Sequence, residues 1–144
     1  MQDEKKEQSY DEVIEELSVR WNIKELLSFS EINIQEKLST NASQIWHFTE
    51  LFHREKNEYD KIMEMKEQLT GQLYNHYKTN IQLDLKYSEI EKFYIPKDPK
   101  MMKMNQIARR QKWVVDFYDG LRKALEKMQW NMKEFMDGMI KAGL

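Results

Sequence analysis

Along two long stretches of the chain apolar residues return every three or four positions, the spacing of one face of an α-helix. From about Ser30 to Tyr77 there is no proline and one glycine, Gly71. Written as heptads, the a positions are Leu38, Ile45, Phe52, Tyr59, Lys66 and Leu73, and the d positions are Asn41, Phe48, Glu55, Ile62, Leu69 and His76. A second stretch follows Asp98-Pro99. Its a positions are Met104, Gln111, Tyr118, Leu125, Met132 and Met139; its d positions are Ile107, Val114, Leu121, Met128, Phe135 and Ala142. Only Gln111 interrupts that seam, so it is the stronger of the two periodicities. At about 1.5 Å per residue it predicts a helix of roughly 65 Å.

Local signals place the ends. Ser9 followed by Glu12 forms a capping box for a short helix with Val13, Leu17 and Trp21 on one face. Asp98 as N-cap and Pro99 at the first helical position open the last helix. Pro96 and Pro99 make "YIPKDPK" the clearest break in the chain. Just before it, Ile81 to Tyr87, "IQLDLKY", alternates with period two and predicts a short strand or extended arm. The expected fold is all-α, with long helices in a coiled-coil-like or helical-bundle arrangement. Residues 1–95 form an N-terminal helical region, and residues 96–144 a C-terminal helix suited to oligomerisation.

Composition agrees with helices and narrows the setting. Four glycines and two prolines in 144 residues are few for a many-stranded sheet, and the absence of cysteine excludes disulfides and thiolate chemistry. No apolar run reaches the roughly 18 residues of a membrane span, and "MQDEKKEQSYDEV" is too charged for a signal peptide. The expectation is a soluble, cytoplasmic protein with no membrane partner.

The apolar surface of the last helix spreads beyond its seam, to Val115, Phe117, Ala124 and Met136. A wider stripe asks for more than one neighbour. Packing within the chain and self-assembly through Val114, Leu121, Leu125, Met128, Met132, Phe135, Met136 and Met139 both answer that need. Seven of the ten methionines fall at or after Met101, which suits an adaptable contact surface.

Catalytic motifs are absent. No glycine-rich phosphate loop or nucleophile elbow occurs, so the chain reads as a non-enzyme without a cofactor. His47, Glu50 and His53 have the spacing of half a helical metal site, but the second Glu-x-x-His pair that helical di-metal centres use is missing. The histidines read as surface or boundary residues of an aromatic-rich helix, with no metal.

Charge supplies the more telling signal. Net charge is −2 overall, yet Lys97, Lys100, Lys103, Arg109, Arg110 and Lys112 face only Asp98 over residues 97–112. Phe93, Tyr94 and Trp113 flank that run. A second basic-aromatic stretch, Lys66 to Lys78, carries Tyr74, His76 and Tyr77. Single strands are held by cations on phosphates and by rings stacked on bases. Lysines at a helix N-terminus oppose the helix dipole, so this cluster works mildly against the helix that carries it. The candidate contacts are Lys66, Tyr74, Tyr77, Lys78, Lys100, Lys103, Arg109, Arg110 and Lys112. An array of identical chains would multiply such modest sites by avidity.

The C-terminal stretch "VVDFYDGLRKALEKMQWNMKEFMDGMIKAGL" resembles the end of the UvsY family, the recombination mediators of T-even-like phages. The shared features are the apolar-apolar-Asp-Phe start, Trp130 before Met132-Lys133, and the terminal Ala142-Gly143. The middle segment "LTGQLYNHYKTN" corresponds to a basic, tyrosine-rich motif of that family, and the likeness runs loosely from about Ile32 to the end. It implies an all-helical homo-oligomer, a hexamer or heptamer joined through its C-terminal part. It also implies single-stranded DNA, a phage recombinase and a phage single-strand binding protein as partners, in the cytoplasm of the host cell. The mediator would help load the recombinase onto covered strands, in recombination and in the replication and repair that depend on it. One departure matters: the family carries Lys and Arg just before the tyrosines, where this chain has Thr70 and Gln72, and Lys66 and Lys78 are the nearest substitutes. Either the DNA path lies closer to Lys100–Lys112 or binding is weaker. The first rival reading is a coiled-coil adaptor that binds protein alone; the second is a helical metal protein built on His47, Glu50 and His53.

Overall fold

The computed structural model describes residues 7–80 and 85–143. It is all-α, and no strand occurs among the described residues. Helix α1 is Tyr10–Trp21, α2 Ile23–Leu26, α3 Ile34–Asn80, α4 Tyr87–Glu89 and α5 Pro99–Lys141. Between α4 and α5 lie a π-helical turn, Ile90–Tyr94, and a 3-10 turn, Ile95–Lys97. No described helix is long and apolar enough to cross a membrane.

The helix starts follow the sequence signals. The Ser9 hydroxyl accepts from the Glu12 N–H at 3.2 Å and donates to the Glu12 carboxylate at 3.3 Å, a reciprocal cap on α1. Asp98 accepts the Lys100 N–H at 2.9 Å ahead of Pro99, so the start of α5 is capped as expected. The end of α1 has a plainer signal than a glycine. Asn22 takes the left-handed conformation with φ 47° and closes onto Ser18 and Val19, and its amide donates to Glu25 at 2.6 Å. Asparagine tolerates that region better than most residues, and it separates α1 from α2. α3 begins at Ile34, a few residues after the expected Ser30, because Ser30 donates its N–H to the Asn33 side chain at 2.7 Å and holds a turn there.

Of the expected extended arm, Ile81 to Asp84 lie outside the described residues. Leu85 and Lys86 are irregular, and Tyr87 already belongs to α4. Leu85 turns inward, 7% exposed, and draws the chain toward the helical turn that follows.

Contacts group the chain into two units. One comprises Gln8–Glu55 and Trp113–Leu144; the other comprises Lys56–Lys112, joined by Glu7. This grouping differs from a division at residues 95 and 96. Each long helix supplies one segment to each unit, and contacts follow facing side chains rather than breaks in the chain. Residues 56–112 hold twelve bases and eight acids, a net +4, and with Glu7 the basic unit stands at +3. Residues 8–55 with 113–144 hold nine bases and fourteen acids, a net −5, and make up the acidic unit.

In the acidic unit α1, the first part of α3 and the second part of α5 share one core. Val114, Tyr118, Leu121, Leu125, Met128 and Met132 step along α5 by four and three, and all are buried against Val13, Leu17, Ile34 and Phe48. α3 and α5 run antiparallel here, since Asn41 meets Leu125 and Gln129 while Phe48 meets Tyr118. Asn41 is 2% exposed and donates to the Leu125 carbonyl at 3.2 Å and the Gln129 side chain at 2.8 Å. A polar contact buried in an apolar seam favours one register over its neighbours. The Trp21 indole donates to the Tyr118 hydroxyl at 3.0 Å, which ties α1 to α5.

The basic unit has a smaller core of Leu73, Leu85, Ile90, Ile95 and Met101, with Leu69, Tyr74, Tyr77, Tyr94 and Met104 packed on it. The inward stripe of α5 here is Met101, Met104 and Ala108. It keeps Met104, an a position, but takes Ala108 in place of the d position before it, so Ile107 is 45% exposed. The side of α5 that turns inward is set by the neighbours it meets here, Leu73, Leu85, Ile90 and Ile95, and not by the heptad count.

Candidate nucleic-acid interface

All nine residues singled out for nucleic-acid contact fall in the basic unit. Rotation of about 100° per residue distributes those on α5. Lys100, Lys103, Ile107 and Arg110 recur at spacings of three, four and three and are all exposed, forming one stripe beside the inward-facing Met101, Met104 and Ala108. Arg109 leaves the helix on the other flank, where its guanidinium meets the Glu7 carboxylate at 3.6 Å. Lys112 is exposed at the end of the segment. The run of six bases in the sequence is therefore a stripe with outliers, not a single patch.

The two basic-aromatic stretches, some twenty residues apart in sequence, are joined by one hydrogen bond. The Tyr77 hydroxyl donates to Asp98 at 2.6 Å. The same carboxylate caps α5, so one side chain fixes the end of α3 and the start of α5 together. The bond to Asp98, aided by burial and by the negative charge itself, pushes the Tyr77 phenol up to about 12. Asp98 is held below the usual carboxylate range, first by the Tyr77 hydroxyl and then, against the opposing effect of burial, by the Lys100 and Met101 N–H groups and the Lys100 charge.

The tyrosines are thereby engaged within the protein. Tyr77 is half-buried, with its ring 5.4 Å from Tyr94 and 5.2 Å from His76. Tyr74 is half-buried with its ring 4.8 Å from Tyr87 at a steep angle. Lys66 is half-buried on the same side of α3 as Leu69 and Leu73. The Lys78 ammonium donates to the Leu85 carbonyl at 2.9 Å. The more exposed rings of this unit stand outside the nine candidates: Tyr87 at 58% and Phe93 at 59%. In the sequence Phe93 is only a flank of the basic run, and the pairing of Tyr77 with Asp98, 21 residues apart, has no local signal.

Of the candidate oligomerisation residues, Val114, Leu121, Leu125, Met128 and Met132 lie in the core of the acidic unit. Phe135 is 41% exposed beside Phe29, and Met136 and Met139 are half-buried. The seam is thus occupied by the chain's own helices. His47 and His53 are exposed, the former edge-on to Trp21 and the latter beside Phe52. Among the described residues no group of three histidine or carboxylate side chains is placed to hold a metal.

No known protein family, curated protein or solved structure matches the chain.

Proposed function

We propose that this protein is a UvsY-type recombination mediator that binds single-stranded DNA through its basic unit. It would help a phage recombinase displace single-strand binding protein from the strand. The observation that carries the reading is the partition of charge. Every candidate DNA contact lies in a segment of net +4, in a chain whose remaining described unit is −5. A polyanion is attracted to the first and repelled by the second. Lys100, Lys103 and Arg110 are spaced along one exposed helical stripe, the arrangement that tracks a phosphate backbone.

Assembly into a homo-oligomer belongs to the same proposal. Because the central heptads are used within the chain, contact between copies would use Phe135, Met139 and the 67%-exposed Ile140 at the end of α5. A second reading, a protein-binding adaptor, draws on Trp46 at 68% and Trp130 at 70% exposure in the acidic unit. Titration of a labelled oligothymidine at several salt concentrations separates the two. The mediator loses affinity linearly in log salt, with a slope of about −0.7 per phosphate contacted; the adaptor shows no binding even in dilute buffer. Native mass with and without the oligonucleotide reports the number of subunits on the strand.

A further inference from the structure

Single strands need rings as well as cations, and in the basic unit the tyrosines of the Lys66–Lys78 stretch are engaged elsewhere. Tyr77 is tied to Asp98 through its hydroxyl and packed on Tyr94, while Tyr74 is packed into the core. We propose that Tyr87 and Phe93, on the helical turns between α3 and α5, are the rings on which unpaired bases stack, and that Tyr77 is a positioning residue for the lysines of α5. The inference rests on the single-strand-binding reading given above.

The local backbone explains why these rings point outward. In the turn Ile90–Tyr94 the bonds run from residue i to i+5, so residues five apart come back toward the same side. Ile90 and Ile95 are five apart, and both are buried, at 0% and 6% exposure. In an ordinary α-helix they would diverge by about 140°. Phe93 lies between them in sequence and is carried to the other side, 59% exposed. π-helical turns of this kind occur often at functional sites. Tyr87 is 58% exposed yet steadied edge-on by Tyr74, so its ring is ordered before any base arrives. A preordered ring loses less rotational freedom on binding.

The positive unit around the rings points to an anionic occupant. Exposed Lys86, Lys92 and Lys97 alternate with the two rings along the segment and offset Glu89, Glu91 and Asp98. Rings interleaved with lysines suit a strand that offers a phosphate and a base at each step. Isolated exposed rings on proteins are common; here the pairing of two such rings with a π-turn and the positive unit distinguishes them.

The test uses the full-length protein and a labelled oligothymidine at fixed low salt. Tyr87→Leu and Phe93→Leu each weaken binding by roughly fivefold to 150-fold, the range of a lost base stack. Their slopes on log salt stay at the parent value, because no phosphate contact is removed. Phe93→Trp retains binding, and its new indole is quenched by oligothymidine; the four native tryptophans, Trp21, Trp46, Trp113 and Trp130, all lie outside residues 56–112. Parental affinity in both leucine variants, with the parent itself binding, overturns the stacking site and leaves the mediator reading standing. An unquenched indole in the Phe93→Trp variant overturns it even where a leucine variant fails to fold. A parent that binds no single strand removes the mediator reading and this inference together.

Discussion

The acidic and basic units draw on the same two long helices but are held together by different means. In the acidic unit six α5 side chains at four-and-three spacing meet α1 and α3 in a continuous apolar core. In the basic unit a smaller cluster is supplemented by the Tyr77–Asp98 bond, and the lysines of α5 are left outside. The contrast shows how a helix can switch roles along its length. α5 is a core helix from Val114 to Met132 and a cation-bearing helix from Lys100 to Arg110, where Ala108 and not the d position Ile107 turns inward. Apolar burial is strong and is not screened by salt, whereas a charged stripe is mild in its effect on stability and open to partners.

The largest expected effect attacks the apolar side of this contrast. Leu125 is fully buried; Leu125→Ala removes about 2–5 kcal/mol of stability through lost burial and the cavity left behind. Chemical denaturation measures it, and a loss under about 1 kcal/mol would show that the acidic core is not packed as described. Next comes Asn41→Ala, which removes a buried donor from the Gln129 side chain and the Leu125 carbonyl. It lowers stability by about 1–3 kcal/mol.

Tyr77→Phe breaks the basic unit's own device and removes about 1–2 kcal/mol, a partly exposed hydrogen bond to a charged acceptor. It also carries a pH signature. The phenol is neutral in the folded protein up to about 12, against about 10 in an unfolded chain. The folded state therefore holds the proton more tightly, and its contribution is full below about pH 10 and lost as pH rises toward about 12. Melting temperature across that range falls more steeply in the parent than in Tyr77→Phe.

The smallest effect distinguishes the two units at the acid end. Asp98 and Asp119 are both held below the usual carboxylate range, the first chiefly by the neutral Tyr77 and the second chiefly by Lys123, with Arg122 also assisting. Each contributes stability above about pH 4 that disappears as pH falls through its depressed folded value. Salt screens the Asp119 pairs, at 2.7 and 2.9 Å from Arg122 and Lys123, and barely touches a bond to a neutral hydroxyl. Adding salt should thus reduce the effect of Asp119→Asn by a few tenths of a kcal/mol and that of Asp98→Asn by less, because only the smaller contribution of the Lys100 charge is screened there.

Much of this was legible from spacing. The helical class, the Ser9 and Asp98 caps and the central α5 seam are local or periodic features, and periodicity survives folding because burial selects for it. The exposure of Ile107 was not legible, because the inward face depends on which neighbour the helix meets. Nor was the engagement of Tyr77, since its partner is distant in sequence. The reading of Lys100, Lys103, Arg109, Arg110 and Lys112 as one run failed to anticipate that helical rotation sets Arg109 apart, toward Glu7. The outward setting of Phe93 was hidden for a related reason: an α-helical count does not anticipate the π-turn that carries it.

The central claim is that a single strand lands on the basic unit and not on the acidic one. The direct measurement compares two charge-reversed triples of the full chain, Lys100→Glu with Lys103→Glu and Lys112→Glu, and Lys127→Glu with Lys133→Glu and Lys141→Glu, all exposed positions. Oligothymidine affinity is followed against salt for each. The first triple is expected to flatten the slope by about 2, three contacts at roughly 0.7 each, and to weaken binding steeply at low salt, while the second leaves the parent slope in place. Equal losses from both triples, or no binding by the parent at any salt, would contradict the account.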